Sequence, residues 1–444
     1  MLTYYCPYHR CTTQTTSDAI GVWRTPPGLA PATLDTCTPH NHVVYIKTHK
    51  TGSTTLQQVI QMYGYRRHLS FLFNAHSPSN GHIRYSFVSK TTPHKFLPPI
   101  NVTAGDFANY KGYDILAAHV KYNRTVLDWY MANDSKYISI IREPAGQFES
   151  AFDFFKIAEK MTKTDRRLHL TRKRHDTGPP IDRWLRSPDI YLRGLGGPHS
   201  TAWVSLNNGQ MLDLGMEPEH VRDLTMITRA VESLSKQMDL VLITEYYDES
   251  LVLLKKLLCW SFEDIVYFTL NQRHARRKLR ETTKHKIRAW NQADVILYAH
   301  FNDTLWKRIE EYGPTFQDDL DTFRKIKKDI NDKCLAKTNT HLDHKGIVRY
   351  RSSYGSPAYC KLYTDRKAVF NELWKRQKGS SPKHMKNGKH DEHSERLYSA
   401  MKKRHTPGHI QWEGPDRYHR QSWGYRPHGH EWMIGQPHHR SSHS

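Results

Sequence analysis

The stretch VVYIKTHKTGSTTLQQVI, residues Val43 to Ile60, decides the fold prediction for this chain. It begins as an apolar, β-branched run typical of a buried strand, passes through a basic, hydroxyl-rich turn and continues with helix-forming residues. Backbone N–H groups and the helix dipole at such a strand-to-helix junction favour an anion. We therefore predict a phosphate-binding turn here. The turn consists of Lys50, Thr51, Gly52, Ser53 and Thr54.

This turn differs from the nucleoside-triphosphate loop G-x-x-x-x-G-K-[ST]. Lys50 precedes Gly52 by two positions instead of following the glycine, and no glycine opens the motif. A kinase or NTPase is therefore disfavoured. An ordinary capped helix start remains an alternative for a lone KTGST motif.

Strand-like and helix-like segments alternate along the chain, which predicts an α/β fold with a mainly parallel sheet covered on both faces. Strands are predicted at Val43–Lys47, Asp114–His119, Tyr137–Ile141 and Leu240–Thr244. Helices are predicted near Thr54–Tyr63, Ala145–Lys160, Arg222–Gln237, Tyr247–Cys259 and Thr283–Tyr312. The basic segment Lys163–Pro180 is predicted to be an exposed loop, either a solvated connection or a substrate-facing one.

A second anion-binding motif occurs in KYISIIREPAGQFES, a buried strand that ends at Arg142 and leads into a helix through Pro144. Arg142 can contact a phosphate with two N–H groups, and the hydroxyl of Ser150 on the helix can reach the same anion. Lys50 and Arg142 both follow strands, where ligands of such sheets bind, so the two motifs suggest a ligand with two separated phosphates. If either motif stood alone, a structural interpretation would be favoured. In it Arg142 pairs with a carboxylate, and Ser150 only fills a position in the middle of the helix.

The charge distribution suggests anionic partners and a separate tail. The formal net charge is +22, which is compatible with nucleic acid, a membrane surface, a nucleotide or an acidic glycan. Residues 335–444 contain 21 Lys and Arg against 9 Asp and Glu, together with 13 of the 29 histidines and much Gly, Ser and Pro. We predict that this basic, His-rich tail is disordered. Its histidines lack a fixed ligand spacing, so metal binding there is the weaker interpretation.

Signals of the cellular compartment are mixed. The six cysteines include no C-x-x-C pair and imply no dense disulfide framework, and Cys259 is interpreted as a buried apolar residue. No apolar run approaches the roughly 18 to 20 residues that cross a bilayer, and the first residues lack a signal-peptide pattern, so the sequence alone predicts a soluble chain. Four N-x-[ST] sequons would matter in a secretory lumen. They start at Asn101, Asn123, Asn133 and Asn302.

Five blocks together resemble the galactose-3-O-sulfotransferases, the group that includes galactosylceramide sulfotransferase. They are IKTHKTGSTT, AAHVKYNRT, IREPAGQFES, LVLITEYYDESLVLLKKLLCW and AWNQADVILYAHFNDTLW, in one order between about Asn41 and Cys334. The resemblance implies a P-loop-like α/β sulfotransferase fold that uses 3′-phosphoadenosine 5′-phosphosulfate as co-substrate and no metal. It implies that Lys50–Thr54 hold the 5′-phosphosulfate and that Arg142 and Ser150 hold the 3′-phosphate.

The transfer needs a base for the acceptor hydroxyl and positive charge near the departing oxygen, a task that suits Lys50. His119 ends a predicted strand at the same sheet edge and resembles the base of the related uronyl 2-O-sulfotransferases, so we predict that it is the base. His49, inside the turn, is predicted to orient or to stabilise charge. Either histidine could instead satisfy a backbone carbonyl. Weaker candidates for the acceptor or nucleotide pocket, which could equally be a helix cap or core, are Glu245, Asp248, Trp290 and Asn291.

The resemblance also implies an acceptor and a location. The acceptor would be a galactose-terminated glycolipid or glycan, in the Golgi lumen and in association with a membrane, although no transmembrane segment is visible in this chain. The predicted organisation is an N-terminal extension (1–40), a sulfotransferase domain (41–334) and the tail (335–444). Two other classes remain open: a polyanion- or nucleic-acid-binding protein acting through the tail, and a phosphoryl-transferring enzyme. No specific nucleic-acid partner is expected.

Overall fold

The computed structural model describes residues 37–75, 96–100, 102, 110–167, 178–197, 200–269, 278–342, 348–352, 354–365, 367–380 and 399. These residues belong to one compact unit. Its strands are β1 (Val43–Ile46), β2 (Ile115–Ala118), β3 (Lys136–Ile141), β4 (Leu240–Ile243), β5 (Leu335–Leu342) and β6 (Val348–Ser352).

The helices occupy most of the remaining described chain. The first eight are α1 (Ser53–Arg66), α2 (Arg124–Tyr130), α3 (Pro144–Phe154), α4 (Ile157–Arg167), α5 (Pro180–Arg186), α6 (Pro188–Arg193), α7 (Thr201–Ser205) and α8 (Gly209–Asp213). The others are α9 (Leu224–Gln237), α10 (Tyr247–Leu258), α11 (Glu281–Trp290), α12 (Gln292–Tyr312), α13 (Phe316–Cys334), α14 (Cys360–Thr364) and α15 (Ala368–Gly379).

The first four strands form one parallel sheet in the order β2-β1-β3-β4. Val43 at the start of β1 lies between Ile115 on one side and Lys136 on the other. The strands are almost entirely buried, as expected for a parallel sheet covered on both faces, so the α/β prediction is confirmed. Because the chain passes from β1 to β2 and then to the other side of β1, a switch point lies between β1 and β3. Ligands of such sheets bind at the carboxyl ends of the strands at that point.

Two predicted helices are each interrupted. The segment Ala145–Lys160 divides into α3 and α4, and Lys156 between them has a left-handed backbone with φ 53°. The segment Thr283–Tyr312 divides at Asn291, whose φ and ψ of −107° and 48° are not helical. The predicted loop Lys163–Pro180 is shorter than expected, because α4 continues to Arg167 and Pro180 begins α5. Residues 168–177 of that prediction lie outside the described residues.

The interpretation of Cys259 as simply a buried apolar residue is wrong. Cys259 forms a disulfide with Cys37, and Cys334 forms one with Cys360. Sequence spacing gave no sign of these pairs because their partners are separated by 222 and 26 residues and are brought together by the fold. Cys6 and Cys11 lie outside the described residues.

The prediction that the disordered tail begins after Cys334 is also corrected, for its first part. β5 and β6 form an antiparallel pair, and α14 and α15 follow them. We call the described residues from Leu335 to Ser380 the C-terminal segment. Its buried side chains join the same apolar core as the sheet, which is why this part of the chain is ordered despite its polar average composition. They include Leu362, Tyr363, Val369, Phe370 and Leu373.

The C-terminal segment packs along α1. The side-chain amide of Gln58 donates to the carbonyl oxygens of Leu362 and Tyr363 at 2.6 and 3.1 Å. Gln377 accepts from the backbone N–H of Phe71 at 2.9 Å and donates to its carbonyl at 2.8 Å, as a neighbouring strand would. Phe370 packs edge-on against Phe73. In the part of the chain that the structure describes, no helix is long and apolar enough to span a bilayer.

Candidate active site

The two anion-binding motifs meet at the carboxyl edge of the sheet. The guanidinium of Arg142, after β3, donates from Nη1 to the carbonyl oxygen of Lys50, after β1, at 3.4 Å. Thr244, after β4, donates its hydroxyl to the carbonyl oxygens of Thr51 and Ile141 at 2.7 and 2.9 Å. The ends of three neighbouring strands are thus joined, and the predicted proximity of Lys50 and Arg142 is observed.

The turn that precedes α1 has an unusual backbone. Lys50 and Gly52 both have left-handed conformations, with φ of 66° and 72°. A Cβ on Gly52 would meet Tyr247 at 3.5 Å, an ordinary contact, so glycine is needed for its conformation and not for space. Ser53 donates its hydroxyl to the carbonyl of Thr48 at 2.6 Å, which closes the turn. Such a turn at a helix N-terminus presents backbone N–H groups toward an anion.

The ammonium group of Lys50 lies over the ring of Phe154, 3.7 Å from its centroid. Phe154 ends α3, the helix that follows Arg142, so this contact also joins the two motifs. A cation over an aromatic face is attracted by the ring quadrupole, so the contact helps to fix the position of the ammonium group.

Arg142 is fixed mainly through its backbone. Its N–H donates to Oε1 of Gln210 at 2.7 Å, and its carbonyl accepts from Nε2 of the same side chain at 2.8 Å. The guanidinium Nε lies 3.8 Å from the carboxylate of Glu245, whose pKa is raised by burial. A Cβ on Gly146 would lie 3.2 Å from Arg142 Nε, so this glycine allows the guanidinium to lie against the start of α3.

Ser150 is buried on α3, three residues after Gln147. Residues three apart share a helix face. The amide of Gln147 donates to the carbonyl oxygens of His49 and Ser205, each at 3.1 Å, so this face of α3 is turned toward the phosphate-binding turn.

The two predicted histidines lie against each other. The rings of His49 and His119 are stacked with centroids 4.0 Å apart and planes 14° apart. Both residues are buried. His119 Nδ1 lies 2.7 Å from the carbonyl oxygen of Lys47. A carbonyl can only accept, so Nδ1 carries a proton and the lone pair of a neutral ring is on Nε2.

His49 has an acidic partner that sequence reasoning missed. Its Nδ1 lies 2.9 Å from both carboxylate oxygens of Asp213, and its backbone N–H donates to Asp213 Oδ2 at 2.7 Å. Asp213 is fully buried at the end of α8. The carboxylate fixes the orientation of the His49 ring and provides a counter-charge when that ring is protonated.

The short helix α8 connects both motifs. Gln210 near its start clamps Arg142 and Asp213 at its end holds His49. Asp294, from α12, accepts from the backbone N–H groups of Gln210 and Met211 at 3.2 and 2.8 Å. Burial raises the pKa of the Asp294 carboxyl to about 7, although these hydrogen bonds oppose the rise. The sequence gives only a slight indication that this helix contributes to the site. That indication is a single acidic residue, Asp213, in the otherwise apolar run MLDLGM.

Three weaker candidates have structural roles. Asn291 accepts from the backbone of Asn208 at 2.7 Å and is buried beside α8. Trp290 packs edge-on against Trp184, and Asp248 pairs with Lys327 at 2.6 Å.

A parallel α/β sheet that brings two candidate anion-binding motifs and paired histidines to its switch point is the arrangement expected of an enzyme with an anionic ligand. Comparison with known families agrees, since residues 8–352 match the family described as Galactose-3-O-sulfotransferase. The chain belongs to this family of enzymes, and the predicted resemblance is confirmed. The match also extends beyond the predicted limits of Asn41 and Cys334 at both ends.

Three relatives show how similar this chain is in sequence to named members of the family. Human galactosylceramide sulfotransferase is 28% identical over 69% of this chain and 68% of its own length. Mouse galactose-3-O-sulfotransferase 3 is 30% identical over 62% of this chain, which spans only 58% of that relative. Human galactose-3-O-sulfotransferase 2 is 28% identical over 70% of this chain and 72% of its own length.

Proposed function

We propose that this chain moves a sulfuryl group from 3′-phosphoadenosine 5′-phosphosulfate to the 3-hydroxyl of a galactose residue. Family membership supports the reaction class. The observation that carries the proposal is the meeting of the Lys50 turn, Arg142 and the stacked histidines at one switch point. A donor with two separated phosphate groups suits two anion-binding motifs, and the fold is then interpreted as P-loop-like.

In this proposal the turn Lys50–Thr54 binds the 5′-phosphosulfate through its backbone N–H groups and the Lys50 ammonium. Arg142 and Ser150 bind the 3′-phosphate, with the guanidinium supplying charge-assisted hydrogen bonds. The backbone clamp from Gln210 sets the position of Arg142 before the donor arrives.

The acceptor 3-hydroxyl oxygen forms a bond to sulfur while the bond from sulfur to the bridging oxygen breaks. His119 Nε2 takes the hydroxyl proton, because Nδ1 already donates to the Lys47 carbonyl. Adenosine 3′,5′-bisphosphate leaves with the negative charge that develops on the bridging oxygen, and Lys50 stabilises that charge.

His49 and Asp213 have a different role in the proposal. Asp213 accepts hydrogen bonds from the backbone N–H and the ring of His49, and so holds that ring against His119. His49 orients the reacting groups or stabilises charge beside them, and Asp213 positions His49.

The proposed acceptor is a galactose-terminated glycolipid, galactosylceramide-like, or a glycan. The names of the relatives support galactose as the acceptor. The proposed location is the Golgi lumen, with a membrane association that rests on the family. The two disulfides fit this location because such bonds persist in oxidising compartments.

The donor assignment is tested by calorimetric titration with adenosine 3′,5′-bisphosphate. Arg142→Ala removes a charge-assisted phosphate contact worth on the order of 1.5 to 3 kcal/mol, so affinity should fall about tenfold or more. Arg222→Ala is the matched control, since Arg222 is an exposed arginine paired with Asp189.

Equal affinity of the Arg142→Ala and Arg222→Ala variants would contradict the donor assignment. Saturable binding of the bisphosphate that weakens only in Arg142→Ala also separates this proposal from polyanion binding through the basic tail, where strong salt dependence would dominate.

A further inference from the structure

A second group of potential ligands lies at the opposite edge of the sheet. His40 and His42 immediately precede β1, Asp114 precedes β2, and Asp134 lies in the turn before β3. Because the three strands are parallel, all four residues are at the amino edge, away from the phosphate-binding turn. The proposed sulfate transfer uses none of them.

The geometry of three of these residues matches a metal site. Ring nitrogens of His40 and His42 and a carboxylate oxygen of Asp134 all lie within 4.8 Å of one another. His42 Nδ1 is 2.6 Å from Asp134 Oδ1, and His40 Nε2 is 3.0 Å from the Asp134 carbonyl oxygen. Zinc binds such atoms at about 2.0 to 2.2 Å in a tetrahedral arrangement. An ion at this position would replace these hydrogen bonds and take one ring nitrogen from each histidine and one carboxylate oxygen from Asp134.

Asp114 supplies an independent observation. Its carboxylate lies 3.4 Å from His42 Nε2, the nitrogen that does not face Asp134. Asp114 is itself held by the backbone N–H of Ser70, which donates to it at 2.7 Å. Histidine ligands of metals almost always donate their other ring N–H to a carboxylate in this way. Asp114 thus directs Nδ1 of His42 toward the shared position.

Hydrogen bonds hold the backbone of His40 in place without any bound ion. The carbonyl oxygen of His40 accepts from Trp260 Nε1 at 3.0 Å, and its N–H donates to the Leu258 carbonyl at 2.8 Å. The Cys37–Cys259 disulfide fixes the same segment three residues earlier. A ligand that is held before binding loses less conformational entropy when the ion arrives.

We propose that His40, His42 and Asp134 bind one divalent first-row transition metal ion, with Asp114 orienting His42. Two imidazole nitrogens and one carboxylate suit zinc, copper or nickel, whereas magnesium prefers oxygen ligands. The ion joins the segment before β1 to the turn before β3, so its role is to stabilise the amino edge of the sheet. The inference goes beyond sulfate transfer and does not depend on it.

The test measures thermal unfolding of the full chain after removal of metals by a chelator and dialysis. Zinc at about a hundredfold excess over its dissociation constant should raise the Tm by roughly 5 °C, and magnesium should not. His40→Ala and Asp134→Asn should each abolish the shift. His285→Ala, which removes an exposed histidine of α11, should retain it. The histidines after Cys334 are the same in every variant, so zinc bound there is a constant background.

Two results would overturn the site. One is the absence of a zinc-dependent Tm shift in the unchanged chain. The other is a shift of the same size in His40→Ala and Asp134→Asn. Asp134→Asn keeps the shape of the side chain, so it reports on the metal even if His40→Ala folds poorly.

Discussion

The helix α1 serves two regions with opposite physical character. The candidate active site lies at its N-terminus and contains buried charged or titratable groups, among them His49, Asp213 and Asp294. The C-terminal segment packs along the same helix through Gln58 and presents mainly apolar side chains. Charged groups are unfavourable in a protein interior, whereas each large apolar side chain that is fully buried stabilises by about 1.5 to 3 kcal/mol. The candidate active site therefore depends on stability that is supplied elsewhere in the chain.

The largest expected effect comes from removing the C-terminal segment. A chain that ends at Leu335 loses buried Leu362, Tyr363, Val369, Phe370 and Leu373. Their burial is worth on the order of 10 kcal/mol, comparable to the whole stability of an ordinary domain. We therefore expect no cooperative unfolding transition by circular dichroism. The composition instead predicts a disordered tail after Cys334, whose removal would leave the fold intact.

The control for this truncation is a chain that ends at Arg404, the limit of the first compact unit. It retains every described contact of the C-terminal segment and should unfold cooperatively. A cooperative transition in the chain that ends at Leu335 would show that the C-terminal segment adds nothing to the core. It would contradict the assignment of stability to that segment.

The two regions also differ in how well the sequence predicts them. The turn and Arg142 were predictable because their chemistry lies in short motifs next to buried strands, and parallel strands bring such motifs to one edge. Asp213 and His49 are 164 residues apart, and Gln58 and Leu362 are 304 apart. Neither hydrophobic periodicity nor local propensity can predict contacts between residues so far apart in the sequence. The average composition of the C-terminal segment wrongly predicted disorder. A few buried apolar residues determine how the segment packs, whereas its many exposed polar residues dominate the average hydrophobicity.

The second prediction concerns the active site. His119→Ala should lower the turnover of sulfate transfer by roughly 10² to 10⁴, the usual contribution of a general base. Its affinity for adenosine 3′,5′-bisphosphate should change little, since the donor contacts are assigned to the Lys50–Thr54 turn, Arg142 and Ser150. Steady-state kinetics and calorimetry on the same preparation provide the measurement. Near-normal turnover would exclude His119 as the base.

The third prediction uses the buried carboxyl of Asp294. Its pKa of about 7 in the folded state exceeds the ordinary value of 3.8, so its stabilising contribution is complete below about pH 4 and is lost as the pH rises through about 7. Asp294→Asn should therefore gain stability relative to the unchanged chain between about pH 3, below both pKa values, and about pH 8, above both. The gain is on the order of 4 kcal/mol, at about 1.4 kcal/mol for each pKa unit.

Urea unfolding of both proteins at the two pH values measures this difference directly. The carboxylate accepts from Gln210 and Met211 with different oxygens, and asparagine keeps only one of them. The loss of one hydrogen bond does not depend on pH, so it cancels when the two pH values are compared. A stability difference that is independent of pH would refute the raised pKa of the Asp294 carboxyl.

The smallest expected effect comes from the second disulfide. Replacing Cys334 and Cys360 together by alanine opens a loop of 26 residues, which should lower the free energy of unfolding by about 3 kcal/mol. Affinity for adenosine 3′,5′-bisphosphate should be unchanged under native conditions, because the disulfide belongs to the stabilising region. The reduced form of the unchanged chain should show a similar loss. A weakened nucleotide affinity without a loss of stability would reverse the assigned roles of the two regions.

The disulfide between Cys37 and Cys259 has a consequence for the integrity of the chain. With a separation of 222 residues, it closes a covalent ring that contains β1 to β4 and every residue of the proposed active site except those that α12 contributes. A protease that cuts once inside this ring produces two fragments that remain one molecule until the bond is reduced. Nicked protein would therefore migrate as a single band on a non-reducing gel and as two on a reducing one. The catalytic groups would stay tethered after such damage, so the ring protects the assembled site from loss by dilution of its parts.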